Sequence, residues 1–120
     1  ERNILFLNFE GMHIRVAEDV QAIWDICELR CREAGKRVGV IINYDRFRIN
    51  QDMYDIYAEM DRYFLANYFR HITRYATSAF LRAKLGEAFS ARGIAPHVFE
   101  RREEAQAFLA GRSGDAGRSN

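Results

Sequence analysis

The chain has 120 residues, of which 48% are hydrophobic and 29% charged, with a formal net charge of +1. That size fits one domain able to bury about two-thirds of the unfolded chain's surface, and a charge so near neutrality demands neither a polyanionic partner nor an anionic membrane surface. No apolar run approaches the roughly 20 residues of a membrane helix, and no basic segment followed by an apolar one opens the chain, so a cytoplasmic protein without a membrane partner is expected. The sequence begins at Glu1 rather than Met and runs almost directly into a strand pattern, which suggests a piece of something longer.

Ile4 to Phe9 is an apolar strand pattern closed by Glu10-Gly11, where glycine permits a turn or bulge, and Met12-His13-Ile14 either prolongs it or pairs beside it. Val20, Ile23, Trp24, Cys27, Cys31 and Ala34 recur at spacings of three and four and predict the first helix, with Glu18 and Asp19 at its positive end and Gly35 as its stop. Cys27 and Cys31 are expected as reduced thiols, because the spacing is not C-x-x-C and further metal ligands are lacking. Val38 to Asp45 reads Val-Gly-Val-Ile-Ile-Asn-Tyr-Asp, the longest unbroken apolar run. Such a block without polar alternation is the mark of a strand covered on both faces, so it is expected as the central strand of a parallel sheet.

Asn50 or Asp52 is expected to cap a second helix running to about Tyr68, with Met53, Ile56, Tyr57, Met60 and Phe64 inward. Ile72 to Ala76 follows as a third strand nearer an edge, and Thr77-Ser78 caps a third helix striped by Leu81, Leu85, Ala88 and Phe89 and ending at Gly93. Pro96 to Phe99 predicts a short edge strand, since proline donates no ladder hydrogen bond. A fourth helix then carries Ala105, Phe108 and Leu109 and closes at Gly111, leaving 112–120 as a disordered tail beyond a domain of residues 1–111. The fold class is therefore α/β, a single parallel or mixed sheet with about four helices.

In open α/β sheets ligands bind beyond the carboxyl ends of the strands. Glu10, Asn43, Tyr44, Asp45, Thr77 and Ser78 fall there and are the candidate ligand or interface residues, with Arg74 close enough in sequence to help the Thr77-Ser78 amides hold an anion. Capping accounts for Thr77 and Ser78 on its own and is favoured. His13, His71 and His97 lie on separate elements without ligand spacing, so no metal is expected. All six tyrosines and Arg46, Arg48, Arg62, Arg70 and Arg74 lie between Tyr44 and Tyr75. The near-neutral charge speaks against nucleic acid, and the aromatics read either as core or as a face packed on another domain.

The element order and the closing stretch Val98-Phe-Glu-Arg-Arg-Glu-Glu-Ala-Gln-Ala-Phe-Leu109 resemble the sulfate-transporter/anti-sigma-factor-antagonist (STAS) fold and its βαβαβαβα order. At the level of words, Ile4-Leu-Phe-Leu-Asn-Phe-Glu-Gly11, Val40-Ile-Ile-Asn-Tyr-Asp45, Thr73-Arg-Tyr-Ala-Thr-Ser-Ala-Phe80 and Lys84-Leu-Gly-Glu87 resemble the C-terminal extension of long acyl-CoA:acetate/3-ketoacid CoA transferases. The resemblance implies a parent enzyme whose glutamate attacks an acyl-CoA thioester, chemistry that needs a carboxylate nucleophile in a preorganised oxyanion site. Glu10-Gly11 is the one glutamate that comes near, and its surroundings lack the Glu-Asn-Gly or Glu-Ser-Gly wording and a second glycine-rich loop, so no catalytic residue is carried over. The phosphorylatable serine that the resemblance to anti-sigma antagonists implies at the start of the helix after the central strand has no counterpart in Arg48 to Met53, where Asp52 stands instead.

The expectation is a noncatalytic accessory domain, serving packing, oligomerisation or regulation, of a transferase that moves CoA between acyl-CoA and acetate or a 3-keto acid. Coenzyme A would be the parent's substrate, with no cofactor in this domain. Its partners would be the parent's catalytic domains or another protein, and homo-oligomerisation is compatible. The alternative is a free-standing STAS-like module binding a small molecule, a lipid or a protein partner.

Overall fold

The computed structural model describes residues 4–119, with side chains described over 4–111. Three parallel strands, β1 (Ile4–Asn8), β3 (Val38–Asn43) and β5 (Phe69–Tyr75), form the main sheet in the order β1-β3-β5. The α/β class with four helices stands, and the Val-Ile block is the middle strand, buried along Val38–Ile42. Beside the main sheet, β2 (His13–Ile14) pairs in parallel with β4 (Arg48–Ile49), so Met12–Ile14 pairs apart from the first strand rather than prolonging it.

The helices are α1 (Ala17–Ala34), α2 (Tyr54–Asn67), α3 (Ala79–Ala91) and α4 (Arg102–Ser119). Because the chain steps from β1 to β3 to β5 in one direction, right-handed crossovers leave their helices on one face of the sheet. The core agrees: Val38, Val40 and Ile42 cluster with Ile23 and Cys27 of α1, Tyr57 and Phe64 of α2, and Leu85 and Phe89 of α3. The alternate strand residue Ile41 faces the other way, where Ala105 and Leu109 of α4 cover it. Gly39 shares that second face. A Cβ there would stand 3.1 Å from Leu109 Cδ2, so glycine is what lets α4 lie close to the central strand.

Several boundaries differ from the sequence expectation. A 3₁₀ turn (Gln51–Met53) precedes α2, and Asn50 at its start makes no side-chain cap hydrogen bond. The end of α2 is instead closed by Arg37, whose guanidinium donates to the carbonyls of Leu65, Ala66 and Phe69. The Pro96–Phe99 strand shrinks to a single bridge, in which Phe99 N donates to Arg74 O and Ala76 N to Phe99 O. Proline cannot extend that ladder toward the N-terminus. α4 continues past Gly111, and the tail expected over 112–120 lies outside the residues whose side chains are described.

The close approach at Gly39 is testable. Gly39→Ile is expected to destabilise the chain by about 1–3 kcal/mol through overpacking against Leu109. Urea unfolding of Gly39→Ile, Leu109→Ala and the double variant should show non-additivity, the smaller alanine giving back part of the loss.

Candidate functional site

The carboxyl ends of the three strands are stitched together by short polar contacts. Asn43, in register with Asn8, donates from Nδ2 to Asn8 Oδ1 at 3.1 Å and accepts at its own Oδ1 from Asp45 N at 2.9 Å. Asp45 Oδ1 accepts from Thr77 N at 2.7 Å and Thr77 Oγ1 at 3.1 Å, tying the β3 loop to the start of α3. Ser78 caps α3, its Oγ accepting from Leu81 N at 3.2 Å. Glu10 pairs with Arg46, a residue with φ of 56° at the tip of the loop leaving β3. The structure thus brings Glu10, Asn43, Asp45, Thr77 and Ser78 to one edge.

Tyr44 and Arg74 are not at that edge. Strand alternation turns Arg74 the same way as Ile42, its register partner, toward the helices. It is 2% exposed, donates from Nη2 to Asp61 Oδ2 at 2.8 Å and from Nη1 to Ala95 O at 3.2 Å, and lies over the Phe89 ring at 4.5 Å. Arg74 therefore cannot help the Thr77-Ser78 amides hold an anion, which corrects that expectation. Tyr44 is buried too, its hydroxyl 2.6 Å from that of Tyr57. Burial pushes the Tyr44 hydroxyl up to about 12 and the Tyr57 hydroxyl well above its ordinary value. Burial also raises the Asp61 carboxyl, against the pull of Arg74. Asp61 went unremarked in the sequence, although its place between Tyr57 and Phe64 on the apolar stripe of α2 marks a polar residue facing inward.

The aromatic-rich α2 is used internally. Tyr63 and Tyr68 both donate to Glu28 of α1, and Trp24 packs on Tyr63 with ring centroids 4.9 Å apart. All six tyrosines are buried or half-buried, which favours the core reading over an exposed aromatic face. Cys27 and Cys31 are free and buried, and burial lifts the Cys27 thiol to about 12.

The open surface at the strand ends is a groove of about 940 Å³ between the β2-β4 pair, the 3₁₀ turn and the first turns of α3. Arg46, Arg48, Lys84 and His13 line it together with Thr77, Ser78, Tyr54 and Phe80, and no Asp or Glu does. Of these the sequence reading placed only Thr77 and Ser78 at a site; the alternation Arg46-Phe47-Arg48, with Phe47 buried and both arginines exposed, was the available signal. Among the described residues no cluster of His, Cys, Asp and Glu is suited to a metal ion, and no helix is long and apolar enough to cross a membrane. The chain matches no known protein family, no curated protein and no solved structure.

Two outcomes follow from the buried cluster. Arg74→Met leaves the Asp61 carboxylate buried alone and is expected to lose about 3–5 kcal/mol, whereas Asp61→Leu with Arg74→Met should recover most of it; urea midpoints check both. The second concerns alkali. Cys27 and Tyr44 ionise near 12 when folded against ordinary values of 9.0 and 10.0, so the unfolded chain releases these protons first. Their contribution is fully present below pH 9 and is lost as pH rises from 9 toward 12. Urea midpoints should fall over that range, less steeply in Tyr57→Phe, which removes one of the buried hydroxyls.

Proposed function

We propose that the chain is a noncatalytic accessory domain of a CoA transferase that moves CoA between acyl-CoA and acetate or a 3-keto acid. The word-level resemblance from Ile4 to Glu87 motivates the reading. The observation that carries it is the state of the carboxylates at the strand ends. Glu10 is held by the Arg46 guanidinium, and Asp45 accepts two hydrogen bonds from Thr77. A carboxylate that attacks a thioester needs a free lone pair and a preorganised set of donors for the developing oxyanion. Neither group is so placed, which supports packing, assembly or regulation as the domain's contribution, with the nucleophile supplied by the catalytic domains.

The basic groove favours a second reading, a free-standing α/β module that binds a small molecule. The two readings differ in what the chain associates with. As an accessory domain it should bind the catalytic domains of such a transferase and exchange no CoA by itself. The expected result is no transfer between acetyl-CoA and a 3-keto acid by the isolated chain, together with co-sedimentation of the chain with the catalytic domains. Measurable transfer that Glu10→Gln abolishes would overturn the noncatalytic assignment, and no association at micromolar concentration would favour the free-standing module.

A further inference from the structure

We propose that the groove between β4 and α3 is a binding site for a small phosphorylated organic molecule, with the phosphate at the start of α3 and an aromatic or apolar body against Phe80 and Tyr54. This inference concerns the groove alone and stands whether or not the chain belongs to a transferase.

Charge is the first ground. The protein as a whole is close to neutral, at +1, yet the groove gathers Arg46, Arg48 and Lys84 with no acidic side chain in its lining. Arg46 is neutralised by Glu10, but Arg48 and Lys84 are exposed and have no carboxylate partner among the described residues. Two uncompensated cations facing one cleft focus a positive potential there.

Hydrogen-bond capacity is the second. The amides of Ala79 and Phe80 open a helix of 13 residues and have no carbonyl to bond within it, while Ser78 already serves Leu81. Those two amides and the positive end of the helix suit a doubly charged phosphate with several acceptor oxygens, whereas the Thr77 amide and hydroxyl are already taken by Asp45. A third, independent feature is Tyr54. It lines the same groove, is 4% exposed, and its hydroxyl has no hydrogen-bond partner. Buried polar groups are rarely left unsatisfied, so an unpartnered hydroxyl in a cleft wall points to a ligand that completes it.

Size and polarity decide the class. A cleft of about 940 Å³ lies within the range of small-molecule sites. Phe80 is 77% exposed at its lip, the most exposed of the large apolar side chains, and it stands beside the half-buried Leu81. A bare inorganic anion would use the cations and the helix end but leave this apolar wall in water. An organic phosphate uses both.

The test titrates the ¹⁵N-labelled full chain with 4-nitrophenyl phosphate, inorganic phosphate and 4-nitrophenol. The expected result is saturable shifts of the Ala79 and Phe80 amide resonances with 4-nitrophenyl phosphate, weaker ones with inorganic phosphate, and none with 4-nitrophenol. Arg48→Glu with Lys84→Glu should weaken the phosphate ester by about tenfold or more, as loss of charge-assisted bonds implies. The matched charge change Arg30→Glu with Lys36→Glu, at exposed positions remote from the groove, should leave it unaltered. Phe80→Ala should weaken the ester and spare inorganic phosphate. All of these positions are exposed, and an unchanged thermal midpoint verifies each fold. Absence of shifts at millimolar ester, or equal affinity in the groove and control variants, overturns the site. Tighter binding of a hexaglutamate peptide than of the ester overturns the small-molecule assignment in favour of an acidic protein segment.

Discussion

The ion pair between Arg74 and Asp61 is the constraint around which the rest of the domain is arranged. A guanidinium does not lose its proton at any relevant pH, so its burial at 2% exposure obliges the protein to supply a counter-charge and acceptors. Asp61 on α2 supplies the first, Ala95 O an acceptor and the Phe89 face a further favourable surface. One side chain on the last full strand is thereby bound to α2, to α3 and to the segment that leads to Phe99. Such a pair adds little net stability over an apolar core, because desolvation offsets the attraction. Its effect is on geometry, since removing either partner strands the other in a medium that cannot solvate it.

That geometry has a consequence at the strand ends. By drawing Arg74 and Tyr44 inward, the core withdraws two polar groups from the edge where a ligand would be met. What remains there is Asn8, Asn43, Asp45 and Thr77, bound to one another in a chain that closes the loops over β1, β3 and α3. The free cations come from elsewhere: Arg48 from the small β2-β4 pair and Lys84 from the second turn of α3. The basic groove is thus built from the additions to the sheet rather than from the sheet's own ends.

The two faces of the sheet are covered unequally. Three helices bury one face, and α4 covers the other through Ala105 and Leu109, admitted by the missing side chain at Gly39. Phe6 and Phe108 stay partly exposed on that thinner side, and Ile26 and Leu29 on the outer face of α1. This distribution leaves apolar surface on both sides of the molecule, with the basic groove at the carboxyl edge between them.

Much of this was legible in the residues. The unbroken run Val38–Ile42 announced a strand buried on both faces, the three-and-four spacings of Val20, Ile23, Cys27 and Cys31 a helix, and Ser78 a cap, because each signal lies within a few neighbours along the chain. The direction in which Arg74 faces followed in principle from the same alternation, yet its partner Asp61 had to be found across a crossover. The pairing of Met12–Ile14 with Arg48–Ile49 and the reduction of Pro96–Phe99 to a bridge depended on register between segments far apart in sequence. The sequence by itself determined the three strands of the main sheet and the positions of the helices, since periodicity and capping are local. Only the tertiary structure decided that Arg48, Tyr54, Thr77, Phe80 and Lys84 share one groove, because their convergence depends on how the small β2-β4 pair and α3 come together at the carboxyl edge of the sheet.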